Sequence, residues 1–371
     1  MQLDYTPDQD ELRESVRSVL VKECPTTFVR AHVDHVVRSE PSTAGADLFA
    51  TLAALDWPAL TVPEASGGVG LGAVELAILA EELGRVMALG PMLTTVAGYV
   101  PALRETGEAS AALLAAVAHG EVRGSLAAAD DGGVWSPASV GARASVIGDD
   151  VRLSGTKRYV MCAGELDELA AVVRLDDGFA LAVVPGASLV VEPVRSLDPS
   201  RAVGHVVFDG VVVPKDRLLP ISEAGVARAT DEMVVAFALE LVGTCQTIFD
   251  TALQYAKERH QFGVPIGSFQ AVKHKLANMF VAIERARAVV IYAIATIEDD
   301  SERRPMAAAM AKAAAGECQK LVAQDGIQLL GGIGYTWEHD QHLFVKRAKA
   351  SDALLGTAAA HRARVADLLG L

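Results

Sequence analysis

At 371 residues, 51% of them hydrophobic and 22% charged, the chain has a globular composition and enough length for two or three packed domains. Its formal net charge of −14 repels phosphate backbones and argues against nucleic-acid binding, while still allowing a local basic pocket. The four cysteines, Cys24, Cys162, Cys245 and Cys318, show no C-x-x-C spacing, so neither a zinc site nor a disulfide framework is expected.

The opening stretch Met1–Leu12 is acidic and amphipathic, without a signal-peptide pattern. No run of about 18 apolar residues is free of charges, so the expectation is a soluble cytoplasmic protein with no membrane partner. Asp8–Val21 places Leu12, Val16, Val19 and Leu20 at helical spacing behind an Asp-rich start. Val74–Met87 repeats the pattern until Gly90-Pro91, and Ser110–Ala118 is alanine-rich. Residues 1–121 therefore read as a helical domain.

The texture changes over residues 122–222, which are rich in Val, Gly and Asp. Short runs such as Val151–Gly155, Leu169–Arg174, Phe179–Val184 and His205–Val213 are punctuated by turn residues, as in a compact β-barrel or sandwich. Pro214 and Pro220 close this section. Residues 223–371 are helical again, with long candidates at 226–258, 268–298 and 304–331 and a last helix after Gly356. Such helices can bury faces against one another as an antiparallel bundle. The order predicts an α+β multidomain fold: a helical domain, a middle β domain and a C-terminal four-helix-bundle domain.

Four motifs carry chemistry or its imitation. The glycine run Gly67–Ala73 contains a G-x-G-x-x-A match, but no strand precedes it and no βαβ unit surrounds it, so it reads as a glycine loop before a helix. Glu338–His342 sets two histidines three apart among carboxylates. The order is not H-E-x-x-H, so a solvated or interface loop is expected and no metal. Gln328–Tyr335 ends a helical pattern with Gly331, Gly332 and Gly334. One glycine suffices for a helix cap; three expose backbone amides to a ligand or second chain. Arg259 is followed by Phe262-Gly263 and, at the next helix start, Gln270. A guanidinium matches a pyrophosphate bidentately, although an ion pair with Glu258 would explain it equally.

Together these pieces resemble the acyl-CoA dehydrogenase family. The resemblance runs through Val62–Gly72 with Glu81–Arg85, Gly155–Tyr159, Val207–Pro214, Arg259–Gln270 and Gln328–Tyr335, in order along nearly the whole chain. It implies FAD as cofactor and an acyl-CoA thioester as substrate, oxidised to the trans-2-enoyl-CoA, with an electron-transfer flavoprotein as acceptor. It assigns FAD contacts to Arg259, Phe262, Gln270, Gln328, Leu329, Gly331 and Gly332.

The resemblance also exposes departures. Family members carry a catalytic Glu shortly before the last helix; the matching position is Leu355. In others the base lies on the helix before the Arg-x-x-Phe segment, where this chain has Met233. Glu232 adjoins it, about 100° around the helix, and Glu240 lies two turns away, about 10 Å. Where relatives have an aromatic–Ile–Thr element meeting the flavin, this chain has Tyr159-Val160-Met161, and Met161 cannot donate a hydrogen bond. The loop over flavin and thioester looks reduced to Ala128–Val134. The retained residues are those that, in family dimers, reach the neighbour's FAD. Tyr335–Asp340 resembles actinobacterial heteromers, several acting on steroid side-chain thioesters. The expectation is a subunit lacking the catalytic base, paired in a heterotetramer with a homologous base-bearing partner. The alternatives are a self-sufficient homodimer using Glu232 and a non-catalytic binding protein.

Overall fold

A computed structural model describes residues 5–130 and 136–371. The expected flavin-covering loop falls partly on residues 131–135, outside the described residues. Helices α1 (Pro7–Glu23), α2 (Thr26–Val37), α3 (Ala44–Ala53) and α4 (Ala73–Arg85) lead to α5 (Met92–Thr94), α6 (Val100–Arg104) and α7 (Ala111–Ala118). A capping box opens α1, in which Thr6 and Gln9 each bond the other's backbone N–H. Strands β1 (Gly124–Ala127), β2 (Arg143–Ile147), β3 (Asp150–Met161), β4 (Glu168–Leu175), β5 (Gly178–Pro185), β6 (Val190–Pro193), β7 (Val203–Pro214) and β8 (Leu218–Pro220) follow. Helix α8 (Glu223–Glu258) then leads through a short hairpin to α9 (Gln270–Glu298), α10 (Arg304–Leu330), α11 (Gln341–Ala353) and α12 (Ala358–Leu368). The helical, β, helical order is the expected one.

By packing, the chain forms two compact units, each assembled from separate stretches. One comprises the chain up to Asp34, Ala77–Ala88 and Val235–Leu371; the other comprises His35–Leu76 and Leu89–Val234.

The second unit is organised by one mixed sheet of eight strands, ordered β6-β7-β3-β2-β4-β5-β8, with β1 pairing β4. Among the described residues the ladder runs from β6 to β8, which makes up the expected middle β domain. Strands β1 and β2 run parallel to β4, whose first six residues are all buried. Such two-sided burial explains why Leu169–Val173 reads as a continuous apolar run rather than an alternation. Leu153, Leu169, Ala171, Val184, Val206 and Phe208 lie in its core.

In the first unit α10 packs against α9, α11 and α12. Its buried alanines, Ala307, Ala308, Ala311 and Ala315 among them, permit close axial approach. Backbones meet elsewhere as well: a Cβ on Gly84 would lie 2.0 Å from the Glu240 carbonyl, and one on Gly243 2.1 Å from that of Glu81. Helix α8 is long and apolar enough to cross a membrane, but 89% of its most apolar window is buried in protein, the setting of a core helix.

Candidate functional site

Helix α8 stops at Glu258, and residues 259–265 form a tight hairpin. Strands β9 (His260–Gln261) and β10 (Val264–Pro265) pair across Phe262-Gly263, and the Ile266 amide donates to the Arg259 carbonyl at 2.8 Å. Both turn residues are left-handed, with φ of 55° at Phe262 and 82° at Gly263. Glycine is usual at the second position of such a turn; phenylalanine at the first is a conformational outlier. Its ring is 93% exposed and sits edge-on to Phe269 at 6.2 Å. Strain and exposure in one residue are the marks of a binding element. The Arg259 side chain is exposed and forms no ion pair among the described residues, while the Glu258 carboxylate accepts from Gln254 instead. The alternative pairing of Arg259 with Glu258 is therefore absent.

The remaining candidates gather at one end of α9 and α10. An ion pair joins Lys275 of α9 to Asp325 of α10. Gln270 precedes Lys275 by about 7.5 Å of helix, and Gln328 follows Asp325 by about 4.5 Å. Gln270 and Gln328 are exposed, whereas Leu329 is buried and offers the surface only its backbone. Beyond α10 the backbone turns at Gly331, with φ 65° and ψ −143°, a conformation only glycine adopts readily. A Cβ at Gly331 or Gly332 would meet nothing within 4 Å, so the backbone at both positions borders open space. An exposed guanidinium, an exposed ring, two amide side chains and bare backbone suit the pyrophosphate and adenine end of FAD.

The position expected for a base is built with care yet carries no acid. Leu355 has φ 57° and Gly356 φ 92°. The wholly buried Lys312 Nζ donates to the carbonyls of Ser351, Asp352 and Gly356 at 3.1, 2.9 and 2.9 Å. Burial pulls this lysine down to about 8, opposed by the charges of Asp352 and Glu240. His361 Nε2 lies 2.8 Å from the Leu355 carbonyl. Burial brings that imidazole down to about 4, so it is neutral near pH 7 and donates one N–H. The turn is rigid, and its side chain is a leucine that accepts no proton.

The other acids considered are engaged. Glu240 is buried and accepts from Arg347 at 2.9 Å. Within the second unit, Glu232 forms an ion pair with Arg104. Met233 is packed away: a Cβ on Gly98 would come within 3.2 Å of its Sδ and Cε. Gly98 belongs to the π-helical run Thr95–Tyr99 between α5 and α6, a local widening common at functional sites of this kind. Met161 is buried, flanked by the left-handed Tyr159 and Cys162. Lys157, also wholly buried, pairs with Asp130.

Sequence reasoning missed the Lys312 contact; the signal was a lysine framed by Ala311 and Ala313 in an alanine-rich helix. It also placed Glu338–His342 in a solvated or interface loop. In the structure Gln341 and His342 begin α11, and His342 is buried with its ring stacked on Trp337 at 4.7 Å. Among the described residues no three metal-ligating side chains come together. The glycine run does precede a helix, following the turn Glu64–Ser66 and ending at α4.

Comparison with known proteins agrees with this fold. Residues 6–121 match the acyl-CoA dehydrogenase N-terminal domain and residues 227–370 the acyl-CoA dehydrogenase C-terminal domain. The chain is 32% identical to the acyl-CoA dehydrogenase IpdE2 of Mycobacterium tuberculosis, over 94% of each chain. Among solved structures, the Tcur3481-Tcur3483 steroid ACAD G363A variant superposes with a TM-score of 0.86 at 29% identity, covering 98% of each chain. The ChsE4-ChsE5 complex from Mycobacterium tuberculosis gives a TM-score of 0.89 at 22% identity, covering 100% of this chain and 99% of that one, a likeness of fold.

Proposed function

The chain belongs to the acyl-CoA dehydrogenase family, whose members bind FAD, and from that premise we propose that it is the baseless subunit of a heteromeric enzyme. The observation that carries this reading is Leu355: a turn held by Lys312 and His361 presents a leucine where a proton acceptor is needed. The exposed set around Arg259 and Gly331 serves a cofactor held mainly by another chain.

In the assembly so proposed, a carboxylate of the partner removes the α-proton of an acyl-CoA thioester. FAD supplies the acceptor for the β-hydride, and the Cα–Cβ bond becomes double. This chain binds and orients. Arg259 would neutralise the pyrophosphate, Phe262 would cover a ring face, and Gln270 and Gln328 with the backbone at 329–332 would hold the adenine end. The steroid ACAD and the two-protein ChsE4-ChsE5 complex among the structural relatives support a steroid side-chain thioester and a partner of the same family. The electrons pass to an electron-transfer flavoprotein.

The competing reading makes Glu232 the base of a self-sufficient homodimer. That carboxylate would have to leave Arg104 to act. Substituting Glu232→Gln in the assembled complex separates the two. Substrate-driven flavin bleaching should continue at a rate within a few-fold of wild type. Its abolition, in a variant that still holds FAD, would establish Glu232 as the base and remove the need for a partner.

A further inference from the structure

The open glycines belong to a short 3-10 turn, Gly331–Tyr335, that ends at the surface. Tyr335 is 74% exposed, and the amide and hydroxyl of Thr336 turn back to the Ile333 carbonyl at 3.1 and 3.0 Å. The next residue, Trp337, is held by its carbonyl, its indole N–H and its ring. Its carbonyl accepts from Arg30 Nη1 at 2.6 Å, and its indole N–H donates to Asp34 Oδ1 at 3.3 Å, both partners lying on α2. Its ring stacks on His342 at 4.7 Å, and the Lys346 ammonium sits 4.7 Å from the ring centre, both on α11. Arg30 also pairs with Asp340, which closes the grip three residues further on. This side chain nevertheless remains 46% exposed.

We infer that Trp337 is a positioning residue for the cofactor: it pins the far end of the 3-10 turn Gly331–Tyr335, so that its exposed glycine backbone is preordered for the adenine end of FAD. The near end is held by α10, where the Gly331 amide donates to the Ile327 carbonyl. Between two fixed ends the glycines lose their freedom before the ligand arrives. Ordering a glycine backbone on binding costs conformational entropy, so anchoring one end beforehand lowers that cost. The contacts also explain a half-exposed tryptophan on a surface turn, where burial alone gives no reason for one. This inference rests on the proposed role of Gly331–Tyr335 in holding FAD.

The test uses the co-purified complex and the isolated chain. Trp337→Ala should weaken FAD binding about ten-fold or more, measured by flavin fluorescence titration, with subunit assembly unchanged in gel filtration. Trp337→Phe, which keeps the stack on His342, should recover most of the loss. In the isolated chain, amides 331–336 should exchange with deuterium several-fold faster in Trp337→Ala, while those of α9 and α10 keep their rates. Unchanged FAD affinity and exchange in the alanine variant would overturn the inference, as would a loss of affinity that only tracks subunit dissociation. If the wild-type complex itself holds no FAD, the proposed function fails first, and the exchange measurement still decides whether Trp337 orders the turn.

Discussion

Replacing Arg259 with alanine is expected to weaken FAD binding by the assembled complex about 10- to 100-fold. A hydrogen bond to a charged group is worth about 1.5–3 kcal/mol, and each 1.4 kcal/mol is a factor of ten. The same change should leave the stability of the chain almost untouched. Arg259 is exposed and has no ion pair among the described residues, and surface substitutions of that kind stay within about 0.5 kcal/mol. Arg259→Lys should fall between, because an ammonium keeps the charge and loses the planar fork that matches a pyrophosphate. Retention of FAD through gel filtration, beside thermal unfolding, checks both halves. A variant that keeps its flavin would remove Arg259 from the cofactor site. One that unfolds would make it structural.

The opposite pattern is expected at Glu240. Its carboxylate is 2% exposed and accepts from Arg347, itself 1% exposed, at 2.9 Å. Arg347 also reaches the Ala88 carbonyl, at 3.4 Å from Nη2. Removing one partner of a buried pair strands the other charge, and Glu240→Ala should cost about 3–5 kcal/mol. Removing both, as Glu240→Leu with Arg347→Met, should cost less than either single change, since no buried charge is left over. Urea unfolding of the single and double variants measures this. If Glu240→Ala is as stable as wild type but the complex loses turnover, the residue is a base rather than a brace.

Much of this was legible in the sequence. The long helices α8, α9 and α10 declare themselves because 27 to 36 residues of sustained pattern outweigh local noise. The strands are readable because Gly, Asp and Pro punctuate them. Helix α2 was not foreseen. Only Val29 and Val33 are buried on it, and its Thr and Val residues favour a strand reading. Helix α11 was hidden by its polar start, where Gln341 and His342 look like loop residues. They are buried because Gln341 Nε2 donates to the Ile248 carbonyl and His342 stacks under Trp337, contacts no local pattern can announce. The burial of Lys312, Glu240 and Arg347 likewise depends on partners 39 to 107 residues away.

The site shows the same division. Arg259, Phe262 and the glycines stand out by residue type, as does the leucine at 355. Their physical states do not. The strained φ of Phe262, the exposed guanidinium of Arg259 and the hydrogen-bonded turn around Leu355 appear only once the backbone is placed. Those states turn a resemblance into a specific account, in which the chain holds a cofactor whose chemistry belongs mainly to its neighbour.

Flavin stoichiometry tests that account most directly. The chain should be purified alone and with its base-bearing relative, and FAD counted from the visible absorbance against protein. The account predicts no stoichiometric flavin in the chain alone and one FAD for each pair of unlike chains in the complex, bleached by acyl-CoA. One FAD per chain in the isolated protein, reduced on adding an acyl-CoA, would contradict it.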